Sequence, residues 1–239
     1  TIDVVDVGTD PTTGRRKQTT KAGFAIKREA QEALREVLAA VKAGTHVPRS
    51  TLTVEAYLRE WLETMRPKVR ASTHHSYVVV VDRLVRQVGG VRLQSLTPMQ
   101  IESAYARLAA EGGRGGRPLA PKTVRDCHIV LHRALADAER LGLVARNAAH
   151  VAQGPAVERT EAATWTADEL SRFLDHVAAD RLLAAYDVLA TTGMRRGEAL
   201  GLRWSDVELD AGTLRVEQQV IRVPGQGLVV SPLPKTASS

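Results

Sequence analysis

Residues 190–207 read ATTGMRRGEALGLRWSDV and hold the densest set of groups able to do chemistry. Gly193 can take a positive φ and end the preceding helix, which puts Arg195 at the start of the next one. Glu198 follows three residues on, so the two side chains share a face. An arginine held in this way presents a fixed fork that matches two oxygens of a phosphate. The carboxylate behind it sets the direction of the fork. Arg196 lies about a hundred degrees further round the helix and points elsewhere. Leu200, Leu202 and Trp204 are expected to bury this helix. On spacing alone, an exposed salt-bridging Arg pair remains the favoured reading.

Other candidates are weaker. His128 and His132 are four apart beside Cys127, a spacing that suits zinc. The pattern lacks the glutamate of a zincin motif and implies no third ligand, so surface or interface histidines are the preferred reading and no metal is expected. The run GGRGGR at 112–117 resembles a phosphate-cradling loop only loosely. It follows no strand and precedes no Gly-Lys-Ser/Thr, and it reads as a flexible connection. No paired carboxylates and no Ser/His/Asp arrangement stand out.

The elements that must position these groups fall into three segments. Residues 1–23 read as strands, with the turn signal DPTTGRR between two arms of a hairpin. A helix follows from about Lys27 to Ala43, with Ala30, Leu34, Val37, Leu38 and Val41 on one stripe. Arg15, Arg16, Lys17, Lys21, Lys27 and Arg28 fall between residues 11 and 28 with no acid among them. Such a sheet can sit in a DNA groove, and a solvated basic hairpin is the alternative.

A linker at 44–50 leads to residues 51–150, which read as all-helical. Thr53 is a natural N-cap, Ser72 or Thr73 opens a second helix, and Thr97, Pro98 and Gln100 start a third with a capping box. Pro121 opens a fourth helix through Leu141. Arg66, Lys68 and Arg70 cluster in one inter-helix loop, and Lys122 and Arg125 stand at the start of the last long helix, where backbone N–H groups also favour phosphate.

Residues 151–164 read as a second linker. Thr166 with Glu169 then opens a new domain near Trp165, with helices at about 167–178 and 181–191 and strands after the arginine motif. No internal repeat is evident.

Composition agrees with this layout. The 239 residues are 44% hydrophobic and 25% charged, a globular balance. Residues 1–50 carry nine Lys/Arg against six Asp/Glu, residues 51–150 fifteen against nine, and residues 151–239 nine against twelve. The basic front part suggests a polyanion partner, most simply nucleic acid, with an ordinary basic surface as the alternative. No apolar run approaches the roughly 18 residues of a membrane span, and no signal peptide opens the chain. The single cysteine, Cys127, excludes an internal disulfide and fits a reducing cytoplasm. A start at Thr1, inside a strand pattern, suggests a fragment.

TTGMRRGEALGLRWSDVELDAGTLRV closely resembles the first catalytic motif of the tyrosine recombinases, or phage integrases. DPTTGRRKQTTKAGFAIKREAQEAL resembles the arm-type DNA-binding domain of actinobacterial phage and integrative-element integrases. TVEAYLREWLE, RLQSLTPMQIESAYARL and KTVRDCHIVLHRALADAERLGLVARNAA resemble their helical core-binding domain, and PLPKTASS the segment with their catalytic lysine.

The resemblance implies a multidomain α+β protein. Its parts are a small N-terminal β-sheet plus helix arm-binding domain (1–47), an all-α SAM-like core-binding bundle (51–150) and the start of the mixed α/β catalytic domain (160–239). It implies site-specific cleavage and rejoining of DNA through a 3′-phosphotyrosyl link, for integration or excision of a mobile element, without metal or other cofactor.

Arg195 is then the first catalytic arginine, Lys235 the lysine that protonates the leaving 5′-oxygen, and Glu198 a supporting residue. Arg15, Arg16, Lys17, Lys21, Arg66, Lys68, Arg70, Lys122 and Arg125 become DNA-binding residues. The implied partners are double-stranded DNA at arm and core attachment sites, three further copies of the complete protein in a tetramer, and an accessory directionality factor. The setting is the bacterial cytoplasm, with no membrane.

The family's His-x-x-Arg motif and nucleophilic tyrosine are expected beyond Ser239. Tyr57, Tyr77, Tyr105 and Tyr186 sit in predicted helices ahead of that position, so the chain is expected to bind DNA without cleaving it. The alternatives are a truncated, non-catalytic protein that occupies attachment sites and a general basic DNA-binding protein.

Overall fold

The computed structural model describes residues 3–9, 16–21, 27–42, 47–158, 161–223, 225 and 227–232. The chain divides into two compact units, Thr1–Val157 and Glu158–Ser239. Among the described residues no helix is long and apolar enough to cross a membrane.

The first unit opens with β1 (Asp3–Thr9) and β2 (Arg16–Lys21). They pair antiparallel, Asp3 opposite Lys21 and Thr9 opposite Arg16, with a shift of register between Asp6 and Gly8. Helix α1 (Lys27–Lys42) lies against β1.

Four longer helices follow: α2 (Val54–Met65), α3 (Ala71–Val88), α4 (Pro98–Glu111) and α5 (Pro121–Arg140), then the short α6 (Ala148–Val151). Local chemistry explains most of the starts. The Thr53 hydroxyl accepts from the Ala56 N–H at 3.2 Å. Thr97 and Gln100 satisfy each other's backbone N–H groups at 3.3 and 3.0 Å. Helix α3 differs from expectation. It starts at Ala71, with Arg70 extended in front of it and no side-chain cap. The first helical bond, His74 N–H to the Arg70 carbonyl at 2.9 Å, needs only backbone, so Ser72 and Thr73 fall inside the helix.

Inward faces of these helices form one core around Leu58, Leu84, Ile101, Leu108, Leu131 and Leu135, all essentially excluded from solvent. Each contributes roughly 1.5–3 kcal/mol relative to exposure. Polar atoms carried inward find partners. The Trp61 Nε1–H donates to Asp137 at 2.9 Å, and the Tyr57 hydroxyl donates to the Ala134 carbonyl. Asn147 is buried; its Oδ1 accepts from the Ala149 N–H at 2.9 Å and its Nδ2 donates to the His132 carbonyl at 3.0 Å.

Residues 152–155, read as linker from composition, are tied to the bundle. The Gln153 N–H donates to Glu102 at 2.9 Å, and Arg125 donates to the Pro155 carbonyl at 3.2 Å. Gly154 lies so close to the His128 ring that a Cβ there would sit 2.9 Å from it.

The second unit holds α7 (Ala167–His176), α8 (Leu183–Thr192) and α9 (Arg196–Ala199), then β3 (Val207–Glu208), β4 (Thr213–Leu214), β5 (Gln219–Val223) and β6 (Gly227–Ser231). Thr166 and Glu169 cap α7 reciprocally at 3.3 and 2.8 Å. The strands form two antiparallel pairs, β3 with β4 and β5 with β6. The expected burial of α9 by Leu200 and Trp204 is not what the structure shows, since they are 60% and 85% exposed. The helix instead turns its glycines to β5. A Cβ on Gly197 would sit 2.8 Å from the Val220 carbonyl oxygen, and one on Gly201 would sit 2.8 Å from that of Gln218. Contact is made by backbone, which periodicity of apolar residues does not record.

Candidate phosphate site and nucleic-acid interface

Gly193, with φ +67°, ends α8, and its N–H bonds the Leu189 carbonyl at 3.2 Å. The chain then turns so that Arg195 stands as N-cap of α9 with an extended backbone. Glu198, three residues on, accepts twice from it. Oε2 takes the Arg195 backbone N–H at 2.9 Å, and Oε1 takes a guanidinium N–H at 2.8 Å. The Glu198 side chain is 5% exposed and that of Arg195 54%. Both bonds hold the Glu198 carboxyl below its ordinary value, the guanidinium bond most. A buried, ionised carboxylate thus fixes a half-exposed guanidinium. That arrangement suits recognition of an anionic oxygen pair.

The same device recurs eight residues later, and reading the sequence for Arg195 overlooks it. Arg203 precedes a 3₁₀ turn over Trp204–Asp206. Its guanidinium grips Asp206 through two bonds, at 2.9 and 2.8 Å, and its backbone N–H donates to Asp206 at 3.1 Å. Asp206 is also held below its ordinary value, chiefly by that guanidinium. The signal was present in the spacing: RRGE and RWSD share an arginine three residues ahead of an acid. Between them Gly197 and Gly201 seat α9 on β5, and the Gln218 side-chain amide donates to the Gly201 carbonyl at 2.7 Å.

The other candidate residues are distributed as follows. Lys235 and Arg15 lie outside the described residues, and Arg16, Lys17 and Lys21 are placed on β2 without described side chains. Arg66 and Lys68 form a 3₁₀ turn between α2 and α3, both exposed, with Arg66 3.6 Å from Glu63. Arg70 is exposed at the start of α3. Lys122 is exposed, whereas Arg125 is engaged by Pro155.

Helices α3 and α5 run antiparallel. Tyr77 meets Arg133, whose guanidinium donates to its hydroxyl at 2.7 Å, while Arg83 lines one groove with Thr123 and Asp126. The Arg66–Arg70 turn follows α2, whose Trp61 meets Asp137, so it belongs to the C-terminal half of α5. Lys122 is fifteen positions before Asp137 on that helix, or roughly 20 Å at the helical rise. The two basic sets therefore cannot share one phosphate.

His128, His132 and His150 follow one another with ring centroids 6.0 and 5.8 Å apart. Burial, with His132 and Arg125 nearby, holds His128 below the usual histidine value. Among the described residues no group of three or more His, Cys, Asp or Glu is arranged to hold a metal ion. Three tyrosine hydroxyls are occupied: Tyr57 by Ala134, Tyr77 by Arg133 and Tyr105 by His128 at 3.2 Å. The Tyr186 ring packs edge-on against Phe173.

Comparison with known proteins adds independent findings. Residues 4–41 match the Arm DNA-binding domain, and residues 164–235 match the Phage integrase family. The chain is 27% identical over 174 residues to an integrase of Saccharopolyspora erythraea, covering 71% of this chain and 38% of that protein. It is 30% identical over 184 residues to the integrase of Mycobacterium phage L5, covering 76% and 46%. The chain thus spans half or less of the length of these relatives. Among solved structures, the Tn1549 transposon integrase in complex with circular intermediate DNA superposes with a TM-score of 0.63 at 19% identity, over 76% of this chain and 59% of that one. The arginine motif, its buried glutamate and the two family matches converge on the tyrosine recombinases, with residues 164–235 matching the Phage integrase family itself.

Proposed function

We propose that the chain is the DNA-binding and phosphate-holding part of a site-specific tyrosine recombinase that integrates or excises a mobile element. The observation that carries this reading is the Arg195 guanidinium, fixed by buried Glu198 inside the segment that matches the integrase family. In the reaction, a tyrosine oxygen attacks the scissile phosphate and a 3′-phosphotyrosyl link forms as the 5′-oxygen leaves. Attack by a partner strand's 5′-hydroxyl reverses the step. Charge accumulates on the non-bridging oxygens at the transition state, and a guanidinium already oriented there stabilises it without reorganisation. Lys235 is assigned the proton donated to the leaving 5′-oxygen.

Residues 1–47 are assigned to arm-type sites, 51–150 to the core site as a SAM-like bundle, and 160–239 to the opening part of the catalytic domain. The match of residues 4–41 to an arm DNA-binding domain supports the first assignment. The complete enzyme acts as a tetramer on two DNA sites.

The four tyrosines favour a narrower role for residues 1–239 alone. The hydroxyls of Tyr57, Tyr77 and Tyr105 are committed within the helical bundle, and the Tyr186 ring packs edge-on against Phe173, which supports this narrower role. These residues bind attachment-site DNA without cutting it.

Selection of bound duplexes from a randomised library, followed by footprinting, tests the reading. The expected result is enrichment of defined sequences, with arm-site protection lost and core-site protection kept when Arg15, Arg16 and Lys17 are changed to glutamine. Recovery of unselected sequence would overturn it in favour of a general basic DNA-binding protein.

A further inference from the structure

The GGRGGR run at 112–117 is a built turn, not a flexible connection. The Gly113 N–H donates to the Arg117 carbonyl at 2.7 Å and the Gly116 N–H to the Gly113 carbonyl at 3.2 Å. Its four glycines do two different jobs. Gly115 and Gly116 have open space around them but take φ +69° and +74°, where a Cβ is strained. Gly112 and Gly113 admit no Cβ at all, since it would meet the Leu108 and Arg117 carbonyl oxygens at 2.6 Å. A connection that merely had to be loose would need neither property.

The turn aims charge at a groove. Arg114 lines a cavity of about 690 Å³ together with Arg83 and Arg86 of α3. Arg86, Arg114 and Arg117 are exposed, as is Lys122 just beyond the turn. Among the described residues no ion pair holds Arg83, Arg86, Arg114 or Arg117. Two carboxylates share the groove. Asp82 already accepts from Arg59 at 3.4 Å, which leaves Glu111 as the opposing charge. Nearby, Arg107 is spent on Gln87, its Nε donating at 2.7 Å.

We propose that Arg83, Arg86, Arg114 and Arg117 form a clamp for the DNA backbone, at the end of α3 and α5 remote from Arg66, Lys68 and Arg70. The glycine turn holds two of the four arginines in place. The occupant is double-stranded DNA, because spaced guanidiniums around an open groove match a run of phosphates and not one small anion. This inference rests on the DNA-binding reading above.

The test is binding of the 239-residue chain to a random-sequence duplex of about 30 base pairs, titrated across salt concentrations, since backbone contacts ignore sequence. Changing Arg86, Arg114 and Arg117 to glutamine is expected to weaken binding at least tenfold at about 0.1 M salt. The slope of log K against log salt should become shallower by about 2.7, or 0.9 for each of three phosphates. Glu111→Gln should tighten binding. Gly115→Ala with Gly116→Ala, which keeps every charge, should weaken it. Circular dichroism confirms that each variant is folded.

A loss below twofold with an unchanged slope in the glutamine variant would overturn the clamp, even if the wild-type chain binds. Weaker binding by Glu111→Gln would overturn it too. Failure of the wild-type chain to bind any duplex would instead remove the DNA-binding reading, and the clamp with it.

Discussion

Glu198 holds Arg195 at two points, the backbone N–H at 2.9 Å and the guanidinium at 2.8 Å. One carboxylate thereby sets both where the helix begins and where its arginine points. The pairing separates two properties that mutation can measure independently, the charge of the guanidinium and the rigidity with which it is held.

Arg195→Ala in the complete recombinase is expected to lower strand joining about a hundredfold or more, the scale of losing a positioned transition-state donor, while core-site binding persists. Glu198→Gln keeps the arginine but loses the charged bond that aims it, so it should retain more activity than Arg195→Ala. Joining assays beside mobility shifts report both. Near-normal joining by Arg195→Ala would remove the catalytic assignment.

Acid should loosen the second unit through Glu198 and Asp206. Their arginine partners lower both carboxyl values in the folded state. Their stabilisation is therefore fully present above the unfolded values of about 4.3 and 3.9, and is lost as pH falls through the lower folded values. In urea titrations from roughly pH 6 down to pH 3, Glu198→Gln with Asp206→Asn should be less stable than wild type at the upper end, and the two curves should converge at the lower. A constant gap between them would contradict the linkage.

Gly197→Ala places a Cβ 2.8 Å from the Val220 carbonyl oxygen, a backbone atom with little freedom to retreat. The expected cost is about 1–3 kcal/mol, the range for overpacking. Thermal unfolding measures it, and an unchanged midpoint would mean that α9 does not sit on β5 by close backbone approach.

Asn147→Ala removes the cap of α6 and the donor to the His132 carbonyl in one step. A loss of about 1–3 kcal/mol is expected in urea unfolding, because the buried Ala149 N–H loses its acceptor and the part-buried His132 carbonyl loses its side-chain donor. Asn147→Ser restores an acceptor for the N–H alone and should recover part of the loss.

Much of this architecture is legible in local sequence. Thr53, the Thr97–Gln100 pair and the Thr166–Glu169 pair start helices where their spacing places them, because a cap is satisfied within three residues. The Arg195–Glu198 pair is legible for the same reason, and Arg203–Asp206 is equally local, though it needs the motif to be read twice. Leu200 and Trp204 are left largely exposed by the described residues, because hydrophobicity marks surface that can be buried and says nothing of which neighbour covers it.

The sequence by itself determines the helix starts, the three differently charged segments, the motif that resembles the integrases and the pairing of Arg195 with Glu198, all carried by residues a few positions apart. Only the tertiary structure decides that Gly197 and Gly201 meet β5, that residues 152–155 are fastened to α4 and α5, and that Arg83 and Arg86 share a groove with Arg114. Those contacts join residues far apart in the chain. Their partners are chosen by the packing of whole helices and strands, which no short spacing encodes.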